Sequence, residues 1–348
     1  MIYEKGEINT GSLDLIITHY KEPWEVGKKQ FDMIAMQRNI SFDDVGVILV
    51  NDGEGNELPD ECFSGYPYTV CQMSIPKGGV SKARNAGLDA SEADWVMFCD
   101  FDDCLQNVFG LHLIFAGMAE DKYDLLRATF TEETRDENGV MHLVAHEEDT
   151  VFVHGKVMRR KWLLENNIRF NDALTIHEDG FFNVLAFTLA KDRRQKIQTS
   201  IYLWAWNDNS VVRKDRSEDY VLDTYDHLMK QRIALTEEFI KRKMPEETLL
   251  TVIKTVIDSY YDFQQHVWRL PRNKARKERA ERWFCAYLKR YAQYYAKANV
   301  NQIGEVANIS RARNIMKKTF IIESETLKEW LEHIMNDVRP IPKEEQGV

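Results

Sequence analysis

Apolar positions along this chain change rhythm as it proceeds. Short runs rich in β-branched and aromatic residues, bounded by turn residues, lie at 13–18, 45–50, 68–74 and 95–99 and predict strands. Between them, 24–38 and 80–90 predict helices. Strands alternating with helices predict βαβ units and a parallel sheet, an α/β fold. Further on, 124–130 and 141–146 flank Arg135-Asp-Glu-Asn-Gly139, which reads as a turn between two strands. Stretches 161–167 and 180–189 look helical, and 198–206 looks extended. After about Arg213 the spacing becomes helical throughout. Val221, Leu222, Tyr225, Leu228 and Met229 follow it, as do Leu249, Ile253, Val256, Tyr260, Phe263 and Val267. Phe284, Tyr287, Leu288, Tyr291 and Tyr295 continue it, with Pro245 and Pro271 as helix boundaries. The expected organisation is a first domain over 1–213, an all-helical domain over 214–338 and a disordered tail over 339–348.

Composition narrows the class. A hydrophobic share of 44% and a charged share of 29% are those of a soluble globular protein. The chain is long enough to build its core without staples. No apolar run approaches the ~20 residues that span a bilayer, and Met1-Ile-Tyr-Glu-Lys5 lacks a signal-peptide pattern. The five cysteines, at 62, 71, 99, 104 and 285, contain no Cys-x-x-Cys pair, which argues for reduced thiols instead of a disulfide scaffold or zinc site. The expected location is cytoplasmic, with peripheral attachment to the membrane as an option. A net charge of −10 argues against nucleic acid bound over the whole surface. One local exception stands out in the stretch 269–290, where Arg269, Arg272, Lys274, Arg276, Lys277 and Arg279 lie among Trp268, Trp283 and Tyr287. Such a stretch can bind a polyanion, single-stranded nucleic acid or an anionic membrane face. The plainer reading is a solvated helix paired with the acidic remainder. Self-association through the C-terminal helices is a further option.

The densest chemistry is Cys99-Asp100-Phe101-Asp102-Asp103, directly after the apolar run 95–99. Three carboxylates within four positions at the end of a buried strand are costly unless a cation neutralises them. A hard divalent metal with oxygen ligands does so, and such metals carry substrate phosphates. The carboxyl ends of strands are also where ligands bind in open α/β sheets. The alternative is an acidic turn capping a helix that starts near Gln106. Lys77-Gly78-Gly79, followed by a helix, offers backbone N–H groups and a positive dipole end, a natural phosphate seat. Asn51-Asp52-Gly53 follows a strand, and a tight turn would also suit these residues.

These segments occur in an order and spacing that resemble the family 2 glycosyltransferases, of the GT-A fold. The resemblance rests on 13–20 with Lys21-Glu22-Pro23, 45–53, Lys77 to Gly87 with Arg84-Asn85, the acidic run, His177-Glu178-Asp179 and Trp206-Asn-Asp-Asn209-Ser210. It covers roughly 12–213. It implies a mixed, mainly parallel sheet flanked by helices and a nucleotide-diphospho-sugar donor, a UDP-sugar first. It places Thr18, Tyr20, Glu22, Asn51, Asp52, Lys77, Arg84, Asn85, Asp100 and Asp103 around the donor. Within that set Asp52 would accept the N3–H of uracil, and Asn51 stands where the family often has another Asp. Asp102 would ligate Mn²⁺ or Mg²⁺ bridging the diphosphate. The Glu178-Asp179 pair is the catalytic pair, with Asp179 the general base that takes the acceptor hydroxyl's proton. Attack opposite the diphosphate inverts the anomeric centre. His154, Lys156, His177 and Trp206 are candidate acceptor or sugar contacts.

The implied activity is metal-dependent hexosyl or N-acetylhexosaminyl transfer to a glycan, a lipid-linked or a polyanionic acceptor. Two alternatives remain, a nucleotidyltransferase on a related sheet and a non-catalytic sugar- or nucleotide-binding module. The first strand's exit argues against a Rossmann dehydrogenase, because Thr18-His-Tyr-Lys-Glu-Pro23 stands where its glycine fingerprint would be.

Overall fold

The computed structural model describes residues 11–208 and 218–253, with isolated positions 255, 256, 278, 282, 286, 287 and 290. The chain divides into two compact units, Met1–Lys214 and Asp215–Val348.

The first unit begins β1 (Leu13–His19), α1 (Trp24–Ala35), β2 (Val45–Asp52), β3 (Thr69–Ile75), α2 (Val80–Ala90) and β4 (Trp95–Asp100). There follow β5 (Cys104–Leu105), α3 (Gly110–Met118), β6 (Leu125–Arg135) and β7 (Met141–His146). The unit ends with β8 (Lys156–Arg159), α4 (Arg160–Glu165), α5 (Glu178–Ala190) and β9 (Arg194–Trp204). The strands form one sheet in the order β3-β2-β1-β4-β8-β6-β9-β5, with β7 paired to β6. Strands β1 to β4 are mutually parallel where they pair, β8 lies antiparallel between β4 and β6, and β6 and β9 are parallel.

Period-two alternation buries both faces of the parallel half. Leu13, Leu15 and Ile17 join Trp95, Met97 and Cys99 in a core that also takes Phe31 and Ile34 of α1. The residues between them face the other way: Phe98 lies 5.0 Å from the Phe170 ring and 5.5 Å from Phe182 of α5. Helices thus cover both faces, as a buried parallel sheet requires. The β1–β2–β4 register brings His19 beside Asn51, and Thr18 beside Asp100, so three strand ends open on one edge.

The acidic run is anchored through Phe101, which is 2% exposed. A Cβ at Gly27 of α1 would lie 2.1 Å from its ring. Gly27→Ala should therefore cost about 1–3 kcal/mol by overpacking and push Phe101, with Asp100 and Asp102 on either side, out of place. A lowered melting temperature together with weakened nucleotide binding is the expected outcome; an unchanged melt contradicts it.

Strands β8 and β5 have no counterpart in the sequence reading, and α3 starts at Gly110, later than the helix near Gln106 offered there as the alternative. Helix α3 carries Gly110 and Gly117, poor helix formers, and buries residues on most of its sides. Strand β8 is four residues long and opens with a lysine, and β5 has two residues. In the second unit, α6 (Glu218–Lys241) and a helical stretch over 246–253 follow the predicted spacing. Leu235, Phe239, Leu249 and Ile253 are buried there, and Thr236 Oγ1 lies 2.8 Å from the Tyr287 hydroxyl. Apart from the isolated positions, the expectations for 257–348, including the basic stretch at 269–290 and the tail, lie outside the described residues.

Candidate active site

The site forms where β1, β2 and β4 end and α5 begins. Asp100 closes β4, and α2 brings Arg84 to it: Arg84 Nη2 donates to Asp100 Oδ1 at 2.8 Å. Arg84 Nη1 donates to Glu178 Oε1 at 3.0 Å and to Asp179 Oδ1 at 2.5 Å. One buried guanidinium therefore joins carboxylates separated by nearly eighty positions in the chain. Burial opposes its charge, but Asp179, Asp100 and Glu178 outweigh that and raise its pKa above the ordinary value. Desolvation likewise acts against the charge of Asp100, and Arg84 outweighs it, holding this carboxyl below the usual range.

Asp179 responds differently. Burial pushes its carboxyl up; Arg84 opposes the shift, while Glu178 and Asp100 add to it, and the result is about 7. Its second oxygen accepts the Val153 N–H at 3.2 Å. Before it, His177 adopts a left-handed backbone, φ 66°, at the N-cap of α5, a conformation that a bulky residue holds only under constraint. The turn delivers Glu178 and Asp179 to the positive end of the helix.

Asp103 is 1% exposed. Its Oδ2 accepts the Tyr202 hydroxyl at 2.8 Å and its Oδ1 the Ala205 N–H at 2.9 Å. Burial, then the charges of Asp100 and Asp102, push its carboxyl well up. Next to it lies His154, inside a box of Phe130, Phe152, Tyr202 and Trp204 rings whose centroids stand 5.0–5.8 Å away. Burial lowers the pKa of His154 to about 4, so the imidazole is neutral at pH 7. Its Nδ1 is buried without a hydrogen-bond partner, 3.7 Å from Asp103 Oδ2. Asp102 is partly exposed, and Asn207 donates to its Oδ2 at 2.7 Å.

These residues suit a divalent cation. Asp100, Asp103 and His154 each offer one ligand atom, all within 4.8 Å of one another. Asp100, Glu178 and Asp179 surround the guanidinium of Arg84, and Asp103 lies beside the neutral imidazole of His154. The orphaned Nδ1 of His154 is a ligand atom in the required state. The sequence singles out Asp102 for a metal, and the ligand atoms that lie together are those of Asp100, Asp103 and His154.

On the other side of the strand ends, Asp52 caps α2. Its Oδ1 accepts the Gly78 N–H at 2.6 Å, and its Oδ2 the Gly79 N–H at 2.9 Å. The expected phosphate seat at Lys77-Gly78-Gly79 is thus filled by the protein's own carboxylate, which meets the same demand of the helix end for negative charge. Lys77 donates to the Tyr20 hydroxyl at 2.7 Å. Glu22 accepts the Tyr20 N–H at 2.7 Å, and burial raises the pKa of its carboxyl.

Three sequence candidates turn into the scaffold instead. Asn51 is fully buried; its Oδ1 meets His19 Nδ1 at 2.7 Å and its amide donates to the Met73 carbonyl at 3.2 Å. Asn85 pins the 170–172 segment, donating to the Phe170 carbonyl at 2.9 Å and accepting the Phe170 N–H at 3.0 Å. Lys156 is 2% exposed and bonds Asp149 Oδ2 at 2.6 Å and the Phe152 carbonyl. Trp206 is held through its backbone N–H by Glu133 at 2.7 Å, and its indole donates to Asp208.

Several supporting groups escaped the sequence. Tyr202 bridges the acidic run, accepting the Asp100 N–H at 3.1 Å while donating to Asp103. Asn207 fixes Asp102, and the Val153 N–H fixes Asp179. Tyr202 and Asn207 lie about a hundred positions from the acidic run, and Val153 lies 26 positions from Asp179; Asn207 falls within the Trp206-Asn-Asp-Asn209-Ser210 motif, but nothing local ties it to Asp102.

Comparison with known proteins bears on the family and the fold. Residues 14–166 match the model of glycosyl transferase family 2, so the resemblance read from the motifs is borne out over that segment. The uncharacterized glycosyltransferase EpsJ of Bacillus subtilis (strain 168) is 24% identical over 194 residues, 49% of this chain and 56% of that protein. The minor teichoic acid biosynthesis protein GgaA of the same organism is 27% identical over 184 residues, 46% of this chain and 40% of that one. This chain thus matches about half the length of these curated relatives. Residues 1–349 of S. aureus TarS, in complex with UDP-GlcNAc, superpose with a TM-score of 0.63 at 17% identity, covering 88% of each chain. The likeness shows the expected fold, the GT-A fold.

Proposed function

Starting from a segment, 14–166, that matches the model of glycosyl transferase family 2, we propose that this chain transfers a sugar from a nucleotide-diphospho-sugar to an acceptor hydroxyl with inversion. A UDP-sugar is the favoured donor, and TarS, whose solved complex contains UDP-GlcNAc, supports that choice. An N-acetylhexosamine is the first sugar to try. The relative named for minor teichoic acid biosynthesis supports a polymeric or lipid-linked acceptor. The observation that carries the reading is the joining of Asp100, at the end of a parallel strand, to Asp179 through one buried Arg84.

In this reading each group has a task. Asp52, Tyr20 and Lys77 border the nucleotide. Asp102, with the cluster of Asp100, Asp103 and His154, would hold a divalent cation. When bound, such a cation stabilises charge on the leaving diphosphate as a Lewis acid. Asp179 accepts the acceptor hydroxyl's proton on a carboxylate oxygen. Val153 and Arg84 orient that carboxylate, and the raised pKa makes it a stronger base than an exposed aspartate. Glu178 shares the guanidinium and keeps Asp179 from binding it alone. None of the described helices is long and apolar enough to cross a membrane.

Titration calorimetry with UDP, with Mn²⁺ and after chelation, tests the donor half. The wild type should bind UDP more tightly with the metal. Asp102→Ala should lose the metal-dependent part, a loss of about tenfold or more given the charge-assisted contacts at stake. Equal, metal-independent affinity in both proteins would remove Asp102 from the metal site.

A further inference from the structure

Helix α2 sends Arg84 into the interior below the strand ends, where the residue is 3% exposed. The Arg-Asn pair is expected beside the donor, and an arginine there suggests a clamp on phosphate. The geometry argues otherwise. Both terminal nitrogens are engaged by the protein: Nη1 by Glu178 and Asp179, Nη2 by Asp100, at 2.5–3.0 Å. The remaining nitrogen, Nε, is sealed in the interior, and the guanidinium lies 5.2 Å from the centroid of the Phe170 ring. A phosphate clamp presents two parallel N–H groups to its ligand. Arg84 presents them to the protein's own carboxylates.

We propose that Arg84 is a positioning residue, which fixes the base Asp179 and the donor-side Asp100 in one frame, and is not a phosphate clamp. This inference rests on the transfer reading above. The planar fork is what makes it work. A guanidinium can bind carboxylates from β4 and α5 at once, in directions set by its own rigidity, and an ammonium cannot. Asp179 is held from both sides, by Arg84 on Oδ1 and by the Val153 N–H on Oδ2. Asp100 is set by Arg84 at its side chain and by Tyr202 at its backbone N–H. A shift of about 1 Å in a reacting group can cost about 100-fold in rate, so losing the fork should appear in turnover and spare nucleotide affinity.

Arg84→Lys keeps the positive charge and removes the fork. UDP affinity, measured calorimetrically with UDP and Mg²⁺, should stay within about threefold of wild type, while release of UDP from UDP-GlcNAc should fall about 100-fold at saturating donor. A loss of UDP affinity of about tenfold or more, with turnover at saturation retained, would identify a clamp and overturn the proposal. A second measurement needs no variant. In wild-type protein carrying ¹⁵N-labelled arginine and already saturated with Mg²⁺, the Arg84 guanidinium resonance should stay in place when UDP is added. A large displacement of that resonance would overturn the proposal even if Arg84→Lys did not fold. Failure of the wild type to bind UDP at all would instead remove the transfer reading, and the positioning role with it.

Discussion

Asp179→Asn is expected to lower sugar transfer by about 100- to 10,000-fold, the range for loss of a positioned general base, with UDP binding left near the wild-type value. The substitution keeps the shape and removes the proton acceptor. Asparagine can still meet the Val153 N–H, and Glu178 and Asp100 still hold Arg84. The wild type should also show a distinctive acid limb. The Asp179 carboxyl is raised to about 7 by burial, with Arg84 opposing and Glu178 and Asp100 assisting. Below that pH it carries a proton and cannot accept another, so the rate should fall roughly tenfold per pH unit. Above it the carboxylate is ionised and the limb should level off. A pH–rate profile flat from 5 to 8 would contradict the assignment, as would full activity in Asp179→Asn.

The second large effect concerns folding. Arg84→Met should destabilise the first unit by about 3–5 kcal/mol, the usual cost of breaking a buried ion pair from one side. Asp100, Glu178 and Asp179 would then share a desolvated pocket with no counter-charge. The pH dependence follows from the sign of the shifts. Arg84 holds the Asp100 carboxyl down and opposes the rise of Asp179. Without it, both folded-state pKa values rise, and a raised carboxyl favours the fold only while it is protonated. The deficit of Arg84→Met should therefore be greatest above about pH 7, where wild-type Asp179 is ionised, and shrink on acidification. Denaturant unfolding at several pH values measures it, and a deficit independent of pH would contradict the account.

Much of the donor half was legible because its signals are local. Strands β1, β2 and β4 start where their apolar runs start, at Leu13, Val45 and Trp95. Helix α2 coincides with its expected range, since Gly79, at φ 87°, sets its start sharply. The acidic run and Glu178-Asp179 could be singled out because carboxylates at a strand end or a helix start are conspicuous in sequence. Which atom each side chain meets was not legible. Gly78-Gly79 reads equally well as a seat for a substrate phosphate or for Asp52, since either anion satisfies the helix end. Asn51, Asn85 and Lys156 look like site residues because they are polar and lie next to motifs, yet each spends its hydrogen bonds on backbone or neighbours inside the fold. His154 was singled out through the resemblance only as a candidate acceptor or sugar contact, not as a neighbour of Asp103. Its significance comes from aromatic rings on β6 and β9 that close around it and leave Nδ1 facing Asp103. Tyr202 was out of reach for the same reason: β9 comes back to the acidic run about a hundred positions later.

The central claim is that the strand ends and α5 together make a nucleotide-sugar transfer site. The most direct measurement exposes the protein to UDP-, GDP-, CMP- and dTDP-sugars, with and without Mn²⁺, and follows both melting temperature and nucleotide release, with Asp102→Ala as the blank. The account predicts that one class of donor, the UDP-sugars, raises the melting temperature and is slowly cleaved in a metal-dependent way that the variant loses. Failure of every donor to shift the melt or release its nucleotide would contradict it and leave the carboxylates around Arg84 a structural network.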